Sequence, residues 1–215
     1  MEKYKFTGET KTIDLPFGTV TLHRIKAVVE FGLVKVGDLG GWIEKEENLS
    51  HEENAWVCGN AKVYGDAKVC DNAKVYDNAE VCSNAEVCGN AWVCGNAWVY
   101  DNAKVCDNAW VYGDAKVCGN AKVYGNAEVY DNAKVFSADH VLVIGAIGSR
   151  NDFATFFRNK DNEITVKCGC FLGKIDKFLE KVTQTHKDTK HALVYRAAVE
   201  VAKLQIDLTE KSTRR

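Results

Sequence analysis

The sequence has no run of apolar residues approaching the roughly 20 that cross a membrane, and residues 1–5 lack the apolar core of a secretory signal peptide. These absences predict a cytoplasmic protein. The chain also has no large excess of charge of one sign, because its 28 basic and 30 acidic residues give a net charge of −2. Only residues 145–215 are basic, with 14 basic and 9 acidic groups, which gives a mild preference for an acidic partner and leaves direct nucleic-acid binding open.

Cysteine is abundant, but its positions do not indicate disulfides. Seven of the nine cysteines recur at one position of a repeat at which tyrosine is the other common residue. A position that accepts either residue selects a side chain for packing, so we expect packing there and not disulfides or a metal site. The alternative is a soft-metal site at Cys70, Cys88 and Cys106, which lie eighteen residues apart and have no histidine beside them. Cys168, Cys170 and His186 lack a fourth ligand and the usual two-residue spacing of a zinc site, so they too are expected to pack.

The repeat dominates the chain. From Asn54 to Ser137 it consists of fourteen uninterrupted copies of Asn-Ala-x-Val-x-Gly, in which Asp sometimes replaces Asn, and Asp or Ser sometimes replaces Gly. Alanine and valine lie two residues apart in every copy, so both face inward from a short strand while the residue between them faces outward. A period of six drifts around a helix of 3.6 residues per turn, which excludes a helical array.

The residues between copies are typical of corners. Gly-Asn, Gly-Asp, Asp-Asn and Ser-Asn pairs tolerate left-handed backbone conformations at low cost. Every strand carries the same pattern in the same direction, so the strands cannot form hairpins and must coil. The array resembles left-handed parallel β-helices, in which three hexads make a coil of eighteen residues. The left hand is implied by this resemblance alone, because the usual crossover is right-handed.

Partial copies predict that the rod extends beyond the array. Ile43 and Leu49 fall on the alanine register before it, and Val141 and Ile147 fall on the valine register after it. About six coils result, over residues 42–147. An interior of alanine and valine is narrow and closely packed, so no room for a cofactor is expected.

The two ends predict caps, which keep the strand edges of a solenoid from growing into fibres. Residues 1–41 contain two alternating apolar segments, 20–25 and 33–36, and predict a small β cap. Residues 148–215 predict a hairpin, with strands 155–158 and 164–168, followed by two helices that can pack against a second copy as a homodimer or homotrimer. The first helix has Ile175, Phe178, Leu179 and Val182 on one face, and the second has Tyr195, Ala198, Val199 and Ala202.

Positions eighteen apart stack in columns on the outside of the rod. One column reads Trp56, Lys74, Trp92, Trp110 and Glu128. Outward tryptophan over a filled core is often a protein-binding anchor, and the alternative is a ladder that covers neighbouring tyrosine and lysine side chains. Basic residues in and beside the predicted hairpin are candidates for binding a phosphate or carboxylate group. The predicted partner-binding residues are Trp56, Trp92, Trp98, Trp110, Arg150, Arg158, Lys160 and Lys167.

Three segments together resemble a group of phage and prophage β-helix proteins. They are the opening motif of residues 37–44, Gly-Asp-Leu-Gly-Gly-Trp-Ile-Glu, the repeat array, and the closing Cys-Gly-Cys-Phe-x-Gly motif of residues 168–173. The architecture is similar to that of β-helical anti-CRISPR proteins, which bind a Cas nuclease. The resemblance implies a non-catalytic protein that inhibits a bacterial defence system.

Three other functions compete with this one. Hexapeptide acyltransferases and γ-type carbonic anhydrases share the coil, but both use histidines that the array lacks. The transferases usually also have a loop that protrudes from the coil. Here the array has no insertion, and His51 and His140 lie at its opposite ends. A nucleotide-signal sponge would use Arg150, Arg158 and Lys167 at a subunit interface. A structural rod in a virion or filament is the remaining alternative.

Overall fold

The protein is a β-solenoid of about five turns with a small module at each end. This architecture is seen in a computed structural model that describes residues 2–16 and 18–209. Residues 210–215 of the predicted C-terminal module lie outside the described residues, as do Met1 and Phe17. The mainly β fold with stacked parallel coils confirms the predicted class.

The N-terminal cap consists of three strands. β1 (Tyr4–Leu15) and β2 (Gly18–Ala27) form an antiparallel hairpin, and β3 (Leu39–Ile43) pairs antiparallel with β2. The apolar segment 33–36 does not form a strand of this cap. Phe31 and Val34 close a tight turn by reciprocal backbone hydrogen bonds, and Leu33 and Val36 are exposed, because the turn leaves no sheet for these residues to pack on.

Each copy of the repeat contributes one two-residue strand. Strands β4 to β17 are Trp56–Val57, Lys62–Val63, Lys68–Val69, Lys74–Val75, Glu80–Val81, Glu86–Val87, Trp92–Val93, Trp98–Val99, Lys104–Val105, Trp110–Val111, Lys116–Val117, Lys122–Val123, Glu128–Val129 and Lys134–Val135. They form three parallel sheets: β4-β7-β10-β13-β16, β6-β9-β12-β15, and β5-β8-β11-β14-β17, which continues into the cap through β3.

The strands pair in the predicted register of eighteen residues. Trp92 pairs with Trp110 and Val93 with Val111. Between these two coils, the Trp92 amide donates to the Ala109 carbonyl, just before β13, at 2.9 Å. Every repeat alanine and valine is at most 1% exposed, so the packed Ala/Val core is confirmed.

The corners adopt the left-handed backbone that their residues predict. Asp71, Asp107 and Gly125 have φ of 57°, 59° and 66°. The aspartates add a second contact, because the Asp107 carboxylate accepts from the Gly125 amide one coil away at 2.9 Å. Corner aspartate therefore joins consecutive coils as well as turning the chain.

Two corner glycines test the contribution of coil stacking. Gly95 and Gly125 have φ of 70° and 66°, so alanine at either costs about 1–2 kcal/mol of backbone strain. A Cβ at Gly95 would also lie 2.9 Å from the Gly113 backbone nitrogen, whereas one at Gly125 meets nothing within 4 Å. We expect Gly95→Ala to lower the free energy of unfolding clearly more than Gly125→Ala in urea denaturation. Equal losses would mean that the coils do not approach this closely.

The C-terminal module is an antiparallel sheet covered by two helices. Its strands are β18 (Val141–Ile147), β19 (Asp152–Arg158), β20 (Ile164–Cys168) and β21 (Phe171–Lys174), and its helices are α1 (Ile175–His186) and α2 (Lys190–Gln205). The predicted hairpin and both buried helix faces are confirmed. Neither described helix has the length and apolarity needed to span a bilayer.

The solenoid ends earlier than the register predicted. β18, which contains Val141 and Ile147, pairs antiparallel with β19 instead of stacking on the last coil, so the rod has about five turns and not about six. The cause is a short 3-10 turn, Ala138–His140. His140 Nδ1 accepts from the Phe136 amide at 3.1 Å, in place of the carbonyl that a further coil would offer.

Side chains also cap other backbone groups at the edges of the coils. The Thr155 hydroxyl accepts from the Glu128 amide at 3.1 Å at the C-terminal end. At the N-terminal end, the Lys3 ammonium donates to the Ala55 carbonyl and the Asn48 side chain to the Ala67 carbonyl, both at 2.8 Å. These contacts satisfy groups that would otherwise be free to pair with a second solenoid.

Candidate partner-binding groove

The predicted tryptophan column lies along one face of the solenoid. We call the outer side of the sheet β4-β7-β10-β13-β16 the tryptophan face. The pairing of the strands places its outward residues in one row. The row is Trp56, Lys74, Trp92, Trp110 and Glu128.

Two tryptophans in the middle of this face form a flat aromatic platform. Trp92 and Trp110 are stacked, with ring centroids 4.9 Å apart and an interplanar angle of 3°. The Lys74 ammonium lies over the Trp92 ring at 5.1 Å, and Tyr76 contacts the same ring edge-on. Trp92 therefore covers neighbouring side chains, as the ladder interpretation predicts, while Trp110 remains 43% exposed.

The other two predicted tryptophan anchors do not belong to the platform. Trp56 is only 6% exposed, because Phe31 and Tyr4 of the cap pack against its ring. Trp98 is 44% exposed but lies on the β5-β8-β11-β14-β17 sheet, with the Lys116 ammonium over its ring at 4.9 Å.

The two end modules overhang the tryptophan face and turn it into a groove. At the N-terminal end, the turn of residues 31–34 lines one side of an open cavity of about 380 Å³, and Trp56 and Trp92 line the other side. At the C-terminal end, an open cavity of about 430 Å³ lies beside Trp110 and is lined by Phe153 and Thr155 of β19 and Lys167 of β20. The Trp92–Trp110 platform lies between the two cavities. Five strands give this floor a length of roughly 19 Å at the usual strand spacing.

A ladder of asparagine side chains follows the same face. Asn54 donates to Asn72 at 2.8 Å, Asn90 to Asn108 at 3.0 Å and Asn108 to Asn126 at 3.1 Å. Each bond uses one of the two amide N–H groups and one of the oxygen's acceptor positions. The ladder therefore presents further donor and acceptor capacity along the groove.

The charges of the groove are mixed. Lys167 forms an ion pair with Glu128 at 3.0 Å at the C-terminal end, and Asp152 lies beside the same cavity. Lys74 supplies a positive charge on the floor of the groove at its N-terminal end. The groove thus lacks the continuous positive stripe that a phosphate backbone requires.

The predicted cluster of basic residues is divided among different surroundings. Arg158 is 3% exposed; its guanidinium donates to Asn162 and stacks over Phe136, which ties the end of the rod to the C-terminal sheet. Lys167 faces the groove, and the exposed Lys160 lies at the turn after β19. Arg150 contacts Cys170, 3.7 Å from its sulfur, on the side of the sheet that faces the helices.

Arg150 lies instead at a third cavity, within the C-terminal module. We call this the terminal cavity; its volume is about 440 Å³. Phe178 and Tyr195 contribute aromatic surface, and Arg150, Lys181 and His186 contribute polar groups. Burial raises the pKa of the Cys168 thiol and raises that of Tyr195 to about 12, so both groups stay protonated near neutral pH.

The two histidines next to the array have structural contacts. His51 accepts from the Lys3 amide at 3.1 Å and stacks on Tyr4. His140 is buried against Arg158, and its pKa is lowered by burial and by the nearby guanidinium. His140 is thus engaged by the Phe136 amide and the Arg158 side chain, and it does not line any of the three cavities described above.

Sequence reasoning missed the overhanging residues Phe31, Phe153 and Thr155. No spacing in the chain signals them, because their relation to the tryptophan face depends on how the end modules fold back. A local signal existed only at Gly32, where a turn-forming residue interrupts an apolar segment.

No protein-family model matches this chain, and no curated protein sequence matches it. Function is therefore inferred from the geometry of the groove and of the two end modules.

Proposed function

We propose that this chain is a non-catalytic binding protein that holds a protein partner in the groove. The observation that carries the proposal is the stacked Trp92–Trp110 pair, half-exposed on a rigid sheet between two overhanging modules. Rigid aromatic platforms lose little entropy on binding, and tryptophan is enriched among residues that dominate interface energies.

The polar groups of the groove favour a protein over a nucleic acid. The Lys167–Glu128 ion pair leaves this end of the groove without excess positive charge. The asparagine ladder offers both donors and acceptors, which suits the amide groups of a polypeptide. A partner segment with an apolar or aromatic side chain placed over Trp110 satisfies both features.

The absence of catalysis is part of the proposal. The contacts of His51 and His140 support it, because a general base needs access to a substrate. Acetyl transfer from acetyl-CoA by the purified protein would contradict it.

The resemblance to phage and prophage β-helix proteins makes a bacterial defence protein the partner class that we propose, in the cytoplasm of the host cell. A Cas nuclease is the specific example. Addition of the purified chain to a Cas9 DNA-cleavage reaction is expected to slow cleavage at stoichiometric amounts. Unchanged cleavage at a large excess of the chain would exclude Cas9 as the partner. The groove proposal would then be tested by the capture experiment that follows.

Capture from a bacterial lysate tests the groove itself. The immobilised wild-type chain and a Trp98→Ala variant are expected to retain the same protein, and a Trp92→Ala/Trp110→Ala variant is expected to lose it. Trp98 is the matched control, because it is as exposed as Trp110 but lies on another sheet. Equal capture by all three would contradict binding in the groove.

A homo-oligomer is a further part of the proposal, supported by helix α2. Its inner side is buried on the sheet, but Leu193, Ala197, Val201 and Leu204 form an apolar stripe on its outer side. Leu204 is 89% and Leu193 is 58% exposed. Such a stripe, with spacing of four, four and three residues, is typical of a helix that packs against another helix. A second copy presenting the same stripe is the occupant that we propose.

We expect Leu204→Glu to convert the wild-type dimer or trimer into a monomer, because a carboxylate cannot be buried unpaired between two helices. Light scattering during size-exclusion chromatography measures the molar mass of the wild-type chain and of the variant. Gln184→Glu places the same added charge on the exposed surface of α1 and should keep the wild-type mass. A wild-type chain that is monomeric at high micromolar concentration would contradict the second copy.

The terminal cavity favours sequestration of a nucleotide signal as the second candidate function. Its aromatic surface and the Arg150 and Lys181 cations suit a planar molecule that carries an anionic group. Arg158 and Lys167, predicted to share this role, lie outside the cavity. Depletion of cyclic nucleotides from solution, with the nucleotide returned unchanged on denaturation, tests it; an undepleted solution would contradict it.

A further inference from the structure

Three cysteines occupy consecutive coils on a different face of the solenoid. Cys70, Cys88 and Cys106, the thiol column, follow strands β6, β9 and β12, whereas tyrosine separates the cysteines of the other two columns. Glu86 points outward from β9, two residues before Cys88. The Cys70 and Cys88 sulfurs and a Glu86 carboxylate oxygen all lie within 4.8 Å of one another, and all three residues are half-buried.

We propose that Cys70, Glu86 and Cys88 bind a thiophilic divalent cation with a filled d shell, of which zinc is the biological example. Two thiolates and a carboxylate are ligands that zinc accepts in four-coordinate sites. Two sulfurs on one zinc ion lie about 3.8 Å apart, given Zn–S bonds of about 2.3 Å. The side chains therefore need to move only slightly to close on an ion, and the fourth position stays open to water.

The backbone holds these ligands in place before an ion arrives. The Cys70 amide donates to the Val87 carbonyl at 3.0 Å, and the Lys68 amide donates to the Ala85 carbonyl at 2.9 Å. The two thiols thus lie on adjacent coils that are fixed in register. Pre-organisation of this kind reduces the entropy lost when an ion binds.

Two lysines lie beside the site and offset the negative charge of its ligands. Two thiolates, one carboxylate and a divalent ion sum to a single negative charge. Glu86 pairs in register with Lys68 on one side and Lys104 on the other, and the Lys104 ammonium lies 2.6 Å from Glu86 Oε2. A carboxylate has two oxygens, so Lys104 can keep its contact while the other oxygen binds the ion. Beside Cys106, the equivalent outward residue is Lys104, which cannot be a ligand while it is charged.

Cadmium and zinc binding to the full chain test the site. We expect one ion per chain by mass spectrometry after dialysis, and a cadmium–thiolate absorption band in the ultraviolet. Cys70→Ser and Cys88→Ser should each weaken binding at least tenfold, and Glu86→Gln should weaken it less. Cys94→Ser is the control, because Cys94 is a half-buried cysteine of another column, between Tyr76 and Tyr112, and should bind like wild type.

Two results would overturn the proposal. One is an absent cadmium–thiolate band at equal micromolar concentrations of protein and cadmium. The other is a loss of binding in Cys94→Ser as large as that in Cys88→Ser, which would indicate non-specific thiol binding. Circular dichroism confirms that each variant is folded, and all four substitutions lie on outward positions, away from the Ala/Val core. Because the site lies on a different sheet from the groove, its loss leaves partner capture unchanged.

Discussion

Replacement of Val123 by aspartate is expected to lower the free energy of unfolding by about 3 to 5 kcal/mol, because it places an unpaired carboxylate in an interior that contains no polar partner. Val123 is 0% exposed and belongs to the core cluster formed mainly by the repeat alanines and valines. The substitution also breaks the close packing on which consecutive coils depend. Urea denaturation followed by circular dichroism measures the loss.

The neighbouring residue supplies the control for this prediction. Lys122 is exposed and pairs in register with Lys104, so two like charges face each other across strands. Lys122→Asp introduces the same carboxylate one residue away and replaces this repulsion with attraction, so its free energy of unfolding should equal or slightly exceed that of wild type. A Val123→Asp variant as stable as Lys122→Asp would show that the interior is not a dry apolar core.

Replacement of Trp110 by alanine is expected to weaken binding of the captured partner by about 30-fold or more, equivalent to about 2 kcal/mol. The indole is 43% exposed, so it still has surface to bury in a complex, and stacking on Trp92 fixes its orientation. Titration calorimetry with the purified partner measures the change in Kd.

Trp98→Ala is the matched control for Trp110→Ala. The two indoles are almost equally exposed, at 44% and 43%, and each is contacted edge-on by the tyrosine two residues later. Only Trp110 faces the groove. We expect Trp98→Ala to change the Kd by less than about twofold, and a larger effect at Trp98 than at Trp110 would move the binding surface to the other sheet.

The repeat made most of the fold predictable. Alanine and valine recur at the two-residue spacing of a strand, and the corner residues accept left-handed backbone. Because the fourteen copies follow one another without a break, equivalent residues of successive coils must pair. The outward tryptophan column followed from the spacing of eighteen residues between successive coils. The two C-terminal helices were predictable for a similar reason, because Phe178 and Val182 recur at the spacing of one helical face.

The ends were less predictable, because they depend on contacts between distant residues. The register continued through Val141, but His140 accepts from the Phe136 amide and turns the chain away from the rod. Trp56 fits the column, yet Phe31 of the cap covers it. The predicted basic cluster is divided because Lys167 lies on strand β20 and faces the groove, whereas Arg150 lies in the turn before β19 and lines the terminal cavity.

Hydrogen–deuterium exchange of the complex with the captured partner tests the groove most directly. We expect added protection in the turn of residues 31–34, at Trp92 and Trp110, and in β19, which together surround the groove. Strands β6, β9, β12 and β15 on another face should exchange as they do in the free chain. Protection confined to those four strands, with none beside Trp110, would contradict binding in the groove.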